Sequence, residues 1–431
     1  MKTSQNLNFI VFILTMLWMT PVFAQTPIQY YRPDGQPGLN VFETSKTDTV
    51  VYDGLKVKVG GDFAMQFQSI NQSNDADNMT ELGSNLNLPT ANLNLDVQLE
   101  DGLRMHLRTY LSARHHEEAW VKGGYLQMDN LNFVSDGFLS GFMEVATIRV
   151  GMDEFNYGDA HFRRTDNGRA TYNPFVGNYI MDAFSTEAFF EVNLQKNGLI
   201  GVLGVTNGKL NQNVTVNDNT DNKLSFFGKL GYDNQINDDL RFRLTGSWYI
   251  NKGATTGTYL YGGDRAGSRY YKVTDYFTGE TDPNSGAPIV SSSDFGGRFN
   301  ARYSEITAIQ FNPFVKYKGL EFFGIYEIAS GGGDGEGSMT QVAGEAIYRL
   351  GQNEQFYLGG RYNMVKGNTV DGAPDLEIKR FNFGGGWFLT KNVVTKLEYV
   401  NQTYGGEGYE GNAQFQGAEF KGFVIEAAIS F

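Results

Sequence analysis

KGFVIEAAISF (421–431) puts Phe423, Ile425, Ala427, Ile429 and Phe431 on one parity and Gly422, Val424, Glu426, Ala428 and Ser430 on the other. A period of two marks a strand, and this strand has one continuous apolar face. It finishes on a phenylalanine, which gains nothing from contact with water. The stretch suits the last strand of a soluble sheet, or a strand whose apolar face meets lipid. The rest of the chain decides between them.

The same design recurs along the chain. LKVKVGGDFAMQFQ sets Leu55, Val57, Val59, Phe63, Met65 and Phe67 against Lys56, Lys58, Asp62, Gln66 and Gln68. ANLNLDVQLE sets Leu93, Leu95, Val97 and Leu99 against Asn92, Asn94, Asp96, Gln98 and Glu100, and LRMHLRTY places Arg104, His106 and Arg108 on one polar face. Further runs are predicted at 121–133, 142–152, 185–195, 198–206, 222–233, 240–252, 305–317, 320–329, 339–350, 354–367, 375–388, 392–404 and 419–431, sixteen strands in all. Each is long enough to cross a hydrocarbon layer as a tilted strand. One set of connections is mostly short (101–102, 134–141, 196–197, 234–239, 318–319, 351–353, 390–391). The alternate set is mostly long (71–85, 115–120, 153–184, 207–221, 253–304, 330–338, 368–374, 405–418). A barrel with two unlike rims requires that alternation, and a soluble sandwich does not.

Residues 1–24 combine Lys2, an apolar run from Phe9 to Met19 and small-residue spacing at Val22 and Ala24, which reads as a secretory signal. The chain has no cysteine, so disulfide frameworks and thiolate metal sites are excluded. Beyond the signal, no stretch approaches the roughly 18 consecutive apolar residues of a spanning helix. Residues 25–54 lack a period and read as an extended N-terminal arm on the periplasmic side. Residues 55–431 read as one barrel, since no Pro- or Ser-rich linker divides them. The formal charge is −13, and −14 once Lys2 is removed with the signal, which argues against nucleic acid as a partner.

Backbone polar groups in hydrocarbon must all be paired, so a spanning sheet has to close on itself. The expected fold is therefore an all-β transmembrane antiparallel barrel of about sixteen strands, apolar outside and lined by charge within. Isolated charges cannot be packed dry, so the lumen is expected to hold water. Tyr110, Tyr125, Trp248, Tyr249, Trp387 and Tyr404, near strand ends, suit an interfacial belt of rings. By parity the inner wall carries more Lys and Arg than Asp and Glu, and rings of basic residues favour anions.

By its strand count and terminal Phe431, the chain over residues 55–431 resembles the bacterial outer-membrane porins. IRVGMDEFNYGDAHFRR (148–164) is similar to the corresponding strand and loop start of the phosphate-selective and anion-selective group. The resemblance implies short periplasmic turns, long external loops and an inward-folded third loop, here 153–184. It also implies a homotrimer in outer-membrane lipid, passive diffusion of small hydrophilic solutes or anions, no cofactor and no enzymatic activity. Phe431 would serve as the signal read by the barrel-assembly machinery.

The third loop mixes Asp153, Glu154, Asp159 and Asp166 with Arg163, Arg164 and Arg169. Facing wall charges, these would form a constriction whose field sets the barrier for permeating ions. The expected pore-lining set adds Arg104, His106, Arg108, Arg149, Arg241, Arg243, Arg361 and Arg380. The alternative for the loop is internal ion pairing that fastens it to the wall. Three other features carry competing readings. RHHEE (114–118) has a weak metal-site pattern, since neighbouring residues point apart. Asp334 and Glu336 in GGGDGEG could hold calcium or simply make a turn. The Tyr-rich 253–304 loop, with Arg265 and Arg269, could line a substrate-specific channel for phosphate or oligosaccharide, or cover the rim. A non-conducting adhesin or structural barrel is a further alternative. An outer-membrane lipase or protease barrel would need a base beside a nucleophile, and of the four histidines (His106, His115, His116, His161) His106 sits among lumenal arginines as a lining residue.

Overall fold

The period-two runs are strands. In chain order they are β1 (Lys56–Ser73), β2 (Asn85–Glu100), β3 (Leu103–Leu111), β4 (Ala119–Met128), β5 (Ala146–Glu154), β6 (Thr186–Lys196), β7 (Leu199–Thr206), β8 (Ser225–Gln235) and β9 (Leu240–Asn251). A small hairpin follows, β10 (Tyr276–Thr281) and β11 (Pro288–Ser291). The series resumes with β12 (Ile306–Tyr317), β13 (Leu320–Gly331), β14 (Ser338–Leu350), β15 (Phe356–Gly367), β16 (Leu376–Thr390), β17 (Val393–Gly405) and β18 (Glu419–Ser430). The structure is a computed structural model and describes residues 27–111, 119–164, 168–209, 223–253, 259–262 and 267–431. The expected signal segment 1–24, the His115–His116 stretch with Glu117 and Glu118, Asp166 and Arg265 lie outside the described residues.

Sixteen strands form one closed antiparallel barrel, with the β10–β11 hairpin set apart. β9 therefore pairs directly with β12, from Ile306 opposite Asn251 to Tyr317 opposite Leu240. Closure is made by β1 and β18, from Asp62 opposite Ser430 to Ser73 opposite Glu419. At that seam the Gly61 N–H donates to the Phe431 carbonyl (3.1 Å) and the Phe431 N–H to the Gly61 carbonyl (3.2 Å). The sheet has no free edge, which lets both faces be specialised.

The outer face is apolar. Val57, Val59, Phe63, Met65 and Phe67 of β1, and Phe423 and Ile425 of β18, are all exposed, as are Leu203, Phe226, Leu230, Phe311, Phe322, Phe381 and Phe383 on other strands. A band of large apolar side chains this extensive suits hydrocarbon and would be an aggregation surface in water. Of the six aromatics expected in an interfacial belt, only Trp387 is exposed, and Trp248 is half-buried on the outer side. Tyr110, Tyr249 and Tyr404 are buried on the inner face, and Tyr125 points inward beneath Arg149. Parity explains the correction: Tyr110 shares the face of His106 and Arg108, and Tyr249 that of Arg243.

The short connections include the tight turn at Asn197–Gly198, where both residues have positive φ (52° and 82°), as a two-residue hairpin of this twist requires. One short connection is longer than expected. β4 ends at Met128, not 133, so the β4–β5 connection runs through residues 129–145. Its Leu131 and Phe133 alternate with Asn130 and Asn132, so the sequence still reads as strand, although the parity has slipped by one from that of Leu126 and Met128 and the chain has left the sheet.

Three segments fill the barrel. The third loop folds inward as expected, burying Phe155, Tyr157, Phe175, Val176, Tyr179, Ile180, Met181 and Phe184. Part of the 253–304 loop does so too, burying Leu260, Tyr261, Tyr270 and Val273 against the same core. The two meet closely: a Cβ added at Gly177 would stand 2.0 Å from the Tyr270 hydroxyl, so only glycine fits there. Where the sequence suggested an extended arm, residues 27–54 lie across the bore at the short-turn end. The Gln36 N–H donates to the Lys391 carbonyl (2.7 Å), and the Gly35 N–H to Ser430 Oγ (2.9 Å). Asn40 Nδ2 donates to Glu321 Oε1 (2.6 Å), Gln195 Nε2 to the Thr44 carbonyl (2.8 Å) and Lys46 Nζ to the Ala146 carbonyl (2.7 Å). These ties reach several different sides of the barrel.

Candidate functional site

Sixteen strands give a bore wide enough for a broad aqueous pore, and the inward positions are charged as the sequence requires. Most of those charges, however, meet protein. Arg243 and Lys229, both 0 % exposed, converge on Asp159 of the third loop (Arg243 Nε to Oδ2 2.8 Å, Lys229 Nζ to Oδ1 2.8 Å) and on Glu43 of the N-terminal segment (2.7 and 3.4 Å). Burial alone would push the Glu43 carboxyl up, but Arg243 and Lys229 beside it hold it down at about 2. The same pairing keeps Asp159 ionised, well below the usual carboxylate range.

Similar fastenings occupy the rest of the wall. Arg163 of the third loop (2.6 Å) and Arg361 of β15 (2.7 Å) share Glu345 of β14. Arg164 is held between Glu154 (2.8 Å) and Asp182 (2.6 Å). Arg380 donates to the carbonyls of Asn178 and Gly297, one from each inserted loop. Arg269 pairs with Glu426, and the Tyr270 hydroxyl donates to Glu398 (2.6 Å). Arg241 pairs with Asp233 (2.7 Å) near the short-turn rim. The expected water-filled lumen is thus largely occupied by chain. Asp159, Arg163, Arg164, Arg243, Arg361 and Arg380 anchor inserted segments, the pairing that the sequence left as the alternative.

Open space remains in a cavity of about 120 Å³ on the β1–β6 side. Its wall is Asp62, Asn94, Asp96, Arg104, His106, Arg108, Tyr125, Gln127, Thr147, Arg149, Asp153, Asn193 and Gln195. The third loop contributes Glu154, Asn156, His161, Phe162, Arg169 and Tyr172, and the N-terminal segment Tyr31, Arg32, Asp34, Phe42, Glu43 and Thr44. The structure therefore brings Arg104, His106, Arg108, Arg149, Asp153, Glu154 and Arg169 together and, among the described residues, leaves the other expected lining residues elsewhere. Within it, His106 Nδ1 lies 2.9 Å from Asp96 Oδ1, and Arg104 Nη1 lies 3.6 Å from the same oxygen. Arg108 Nε donates to Asn94 Oδ1 (3.1 Å), with Asp153 at 3.9 Å. Arg149 pairs with Glu191 (2.7 Å) and stacks over Tyr125.

Several polar atoms of these residues have no protein partner: Asp96 Oδ2, Arg104 Nε, His106 Nε2 and Arg149 Nε. Buried polar groups need hydrogen bonds, so a cavity lined with such atoms is one that holds water or a polar solute. Five arginines and six carboxylates line it. Asp34, Glu43 and Glu154 are matched by Lys58, Arg243 and Arg164, which lie outside the lining, and Arg149 by Glu191. Four arginines then face three aspartates, a slight cationic excess.

The N-terminal contribution, Tyr31 to Thr44, has no period, and sequence reasoning missed it. The only signal is the concentration of aromatic and charged residues in YYRPDG (30–35), unusual for a solvated arm. Glu336, weighed as a calcium ligand, instead accepts the N–H groups of Ser304 (2.5 Å) and Gly333 (2.9 Å) and braces its own loop.

No family model matches the chain, and no curated protein matches it by sequence. Solved structures do match in fold. The outer membrane channel DcaP of Acinetobacter baumannii is 10 % identical with a TM-score of 0.54, over 88 % of this chain and 98 % of that one. The anion-selective porin from Comamonas acidovorans is 11 % identical with a TM-score of 0.53, over 88 % of this chain and 100 % of that one. OmpT, an outer membrane protein of Vibrio cholerae, is 12 % identical with a TM-score of 0.50, over 89 % and 99 %. At these identities the likeness is one of architecture: the chain has the closed sixteen-stranded fold of the bacterial outer-membrane porins.

Proposed function

We propose that the chain is a channel of the bacterial outer membrane that passes small hydrophilic solutes and ions by diffusion, through a bore narrowed far below what sixteen strands allow. The observation that carries this reading is the opposition of the two faces: a closed sheet with an apolar exterior around a cavity lined by unpartnered Arg, His and Asp atoms. The short turns then face the periplasm and the long loops the outside, with the 27–54 segment at the periplasmic mouth. A homotrimer and assembly through Phe431 belong to the same reading by resemblance. The slight arginine excess supports a weak anion preference.

The experiment is single-channel recording of the purified protein in planar bilayers, with liposome swelling in graded sugars. Small-conductance openings and a leak that falls sharply with sugar size are expected. An absence of both, in bilayers where the protein is inserted, would return the chain to a structural barrel. The filled bore favours a second reading, a solute-specific channel, which would show saturable uptake of one solute instead of a graded leak.

A further inference from the structure

The β4–β5 connection departs from the other short connections. Residues 129–145 leave the rim and turn back over the outside of the barrel. Leu131 (9 % exposed) and Met143 (3 %) pack on Ala146 and Ile148 of β5, Val192 and Leu194 of β6, and Met128 at the end of β4. These five contacts are on the outer face. Arg149 and Thr147 of β5, Glu191 and Asn193 of β6, and Gln127 of β4 all point inward, so their alternates point out.

The segment seated there leaves Phe133, Val134, Phe138, Leu139 and Phe142 exposed at 42 to 59 %. Five large apolar side chains in a ten-residue stretch form a patch that a water-facing turn does not need. Its place is specific. Leu194 lies just before the Asn197–Gly198 turn, so the patch sits at the level where the barrel's apolar wall ends, continuous with exposed Phe190 and Leu199. Ser135, Asp136, Gly137 and Ser140 interrupt the apolar residues, and the stretch carries both kinds of group in the manner of an interfacial segment.

We infer that residues 131–143 form a lipid anchor, a loop laid on the outer wall whose Phe133, Phe138 and Phe142 enter the headgroup–acyl boundary of the leaflet on the short-turn side. This rests on the reading of the chain as a membrane barrel. Lipid is the occupant favoured here because the segment is seated on outer-face residues of β5 and β6, the same face whose exposed apolar side chains form the lipid-facing wall. Anchored there, the loop fixes the height of the barrel in the bilayer at β4–β6, beside the open cavity.

The chain lacks cysteine, so single nitroxide labels can be placed cleanly on the full protein in phosphatidylethanolamine–phosphatidylglycerol vesicles. Phe133→Cys, Phe138→Cys and Phe142→Cys report the patch, Leu203→Cys the middle of the outer wall, and Asp239→Cys a water-facing turn on the same rim. Collision rates with oxygen and with a water-soluble nickel chelate give the depth of each label. The expected order is Leu203 deepest, the three patch positions shallow but more accessible to oxygen than to nickel, and Asp239 the reverse. Patch labels that behave like Asp239 while Leu203 remains in lipid would overturn the anchor and leave the barrel reading intact. A Leu203 label in water would instead overturn the membrane reading. Dipolar broadening between labels at position 138, or disulfide cross-linking of unlabelled Phe138→Cys by added copper–phenanthroline oxidant, would show that a second copy covers the patch and would likewise overturn the inference.

Discussion

Replacing Glu43 by Gln tests whether buried charge holds the N-terminal segment in the bore. In the folded protein two cations, Arg243 and Lys229, face two carboxylates, Glu43 and Asp159, with all four side chains 5 % exposed or less. The substitution leaves the two positive charges with Asp159 and with Asp233, which reaches Arg243 at 3.1 Å but is shared with Arg241. Removing one member of a buried pair costs roughly 3–5 kcal/mol, because the survivor is left uncompensated. Asp159 still touches both cations, so the lower end applies, about 3 kcal/mol. At about 1.4 kcal/mol per tenfold, the undocked population should rise by about 150-fold. Hydrogen exchange of the barrel in detergent or lipid reads this directly, because the Gly35 and Gln36 amides are bonded only when the segment is docked. Their protection should fall by about two orders of magnitude in Glu43→Gln, while amides of the β1–β18 seam keep theirs. Unchanged protection at Gly35 and Gln36 would refute the reasoning, since the segment would then be held by its other contacts, such as Lys46–Asp129 and Asp34–Lys58.

Acid should act on the same group. The Glu43 carboxyl is held at about 2 when docked, against an ordinary value of about 4.5. A depressed pKa stabilises the docked state fully above the ordinary value and loses that stabilisation as pH falls from about 4.5 towards about 2. Gly35 and Gln36 protection should therefore drop over that window in the wild type and much less in Glu43→Gln; equal acid sensitivity in both would assign the effect to other carboxylates. Replacing Arg104 and Arg108 together with alanine removes two of the four arginines that face three aspartates around the cavity, so reversal potentials under a salt gradient should move towards cations. An unchanged potential would mean that ions pass by another route. Deleting Phe431 removes the 3.1 and 3.2 Å bonds to Gly61 at the closing seam and should lower the yield of heat-modifiable barrel on gels, with undiminished yield arguing that closure begins elsewhere on β18.

The strands were legible because each answers to a local rule. Alternation such as Leu93-Asn94-Leu95-Asp96 reports two different surroundings without reference to any distant residue, and the pairing of unlike connection lengths reports two rims. The same rule assigned the inner wall, so Arg104, His106 and Arg108 appear together on the cavity as expected. It also held the answer to the misplaced aromatics, since the parity of Tyr110, Tyr249 and Tyr404 is that of the inner face. Parity is silent on what an inward charge meets. Arg243 and Arg108 look alike in sequence, yet one is sealed against Glu43, a residue 200 positions away, and the other borders open space. The N-terminal segment has no such rule, because irregular backbone carries no period, and its partners, among them Arg243, Lys391, Ser430, Glu321 and Ala146, are scattered around the barrel.

By itself, then, the sequence determined a closed sheet with an apolar outside and a charged inside, because those are properties of successive side chains on a pleated backbone. The tertiary structure decided how much of that inside is channel. Three irregular segments compete with water for the inward charges, and whichever satisfies a buried Arg or Glu at closer range excludes the other. Beside Asp96, Arg104, His106 and Arg149, where no segment satisfies them, polar atoms are left for a solute.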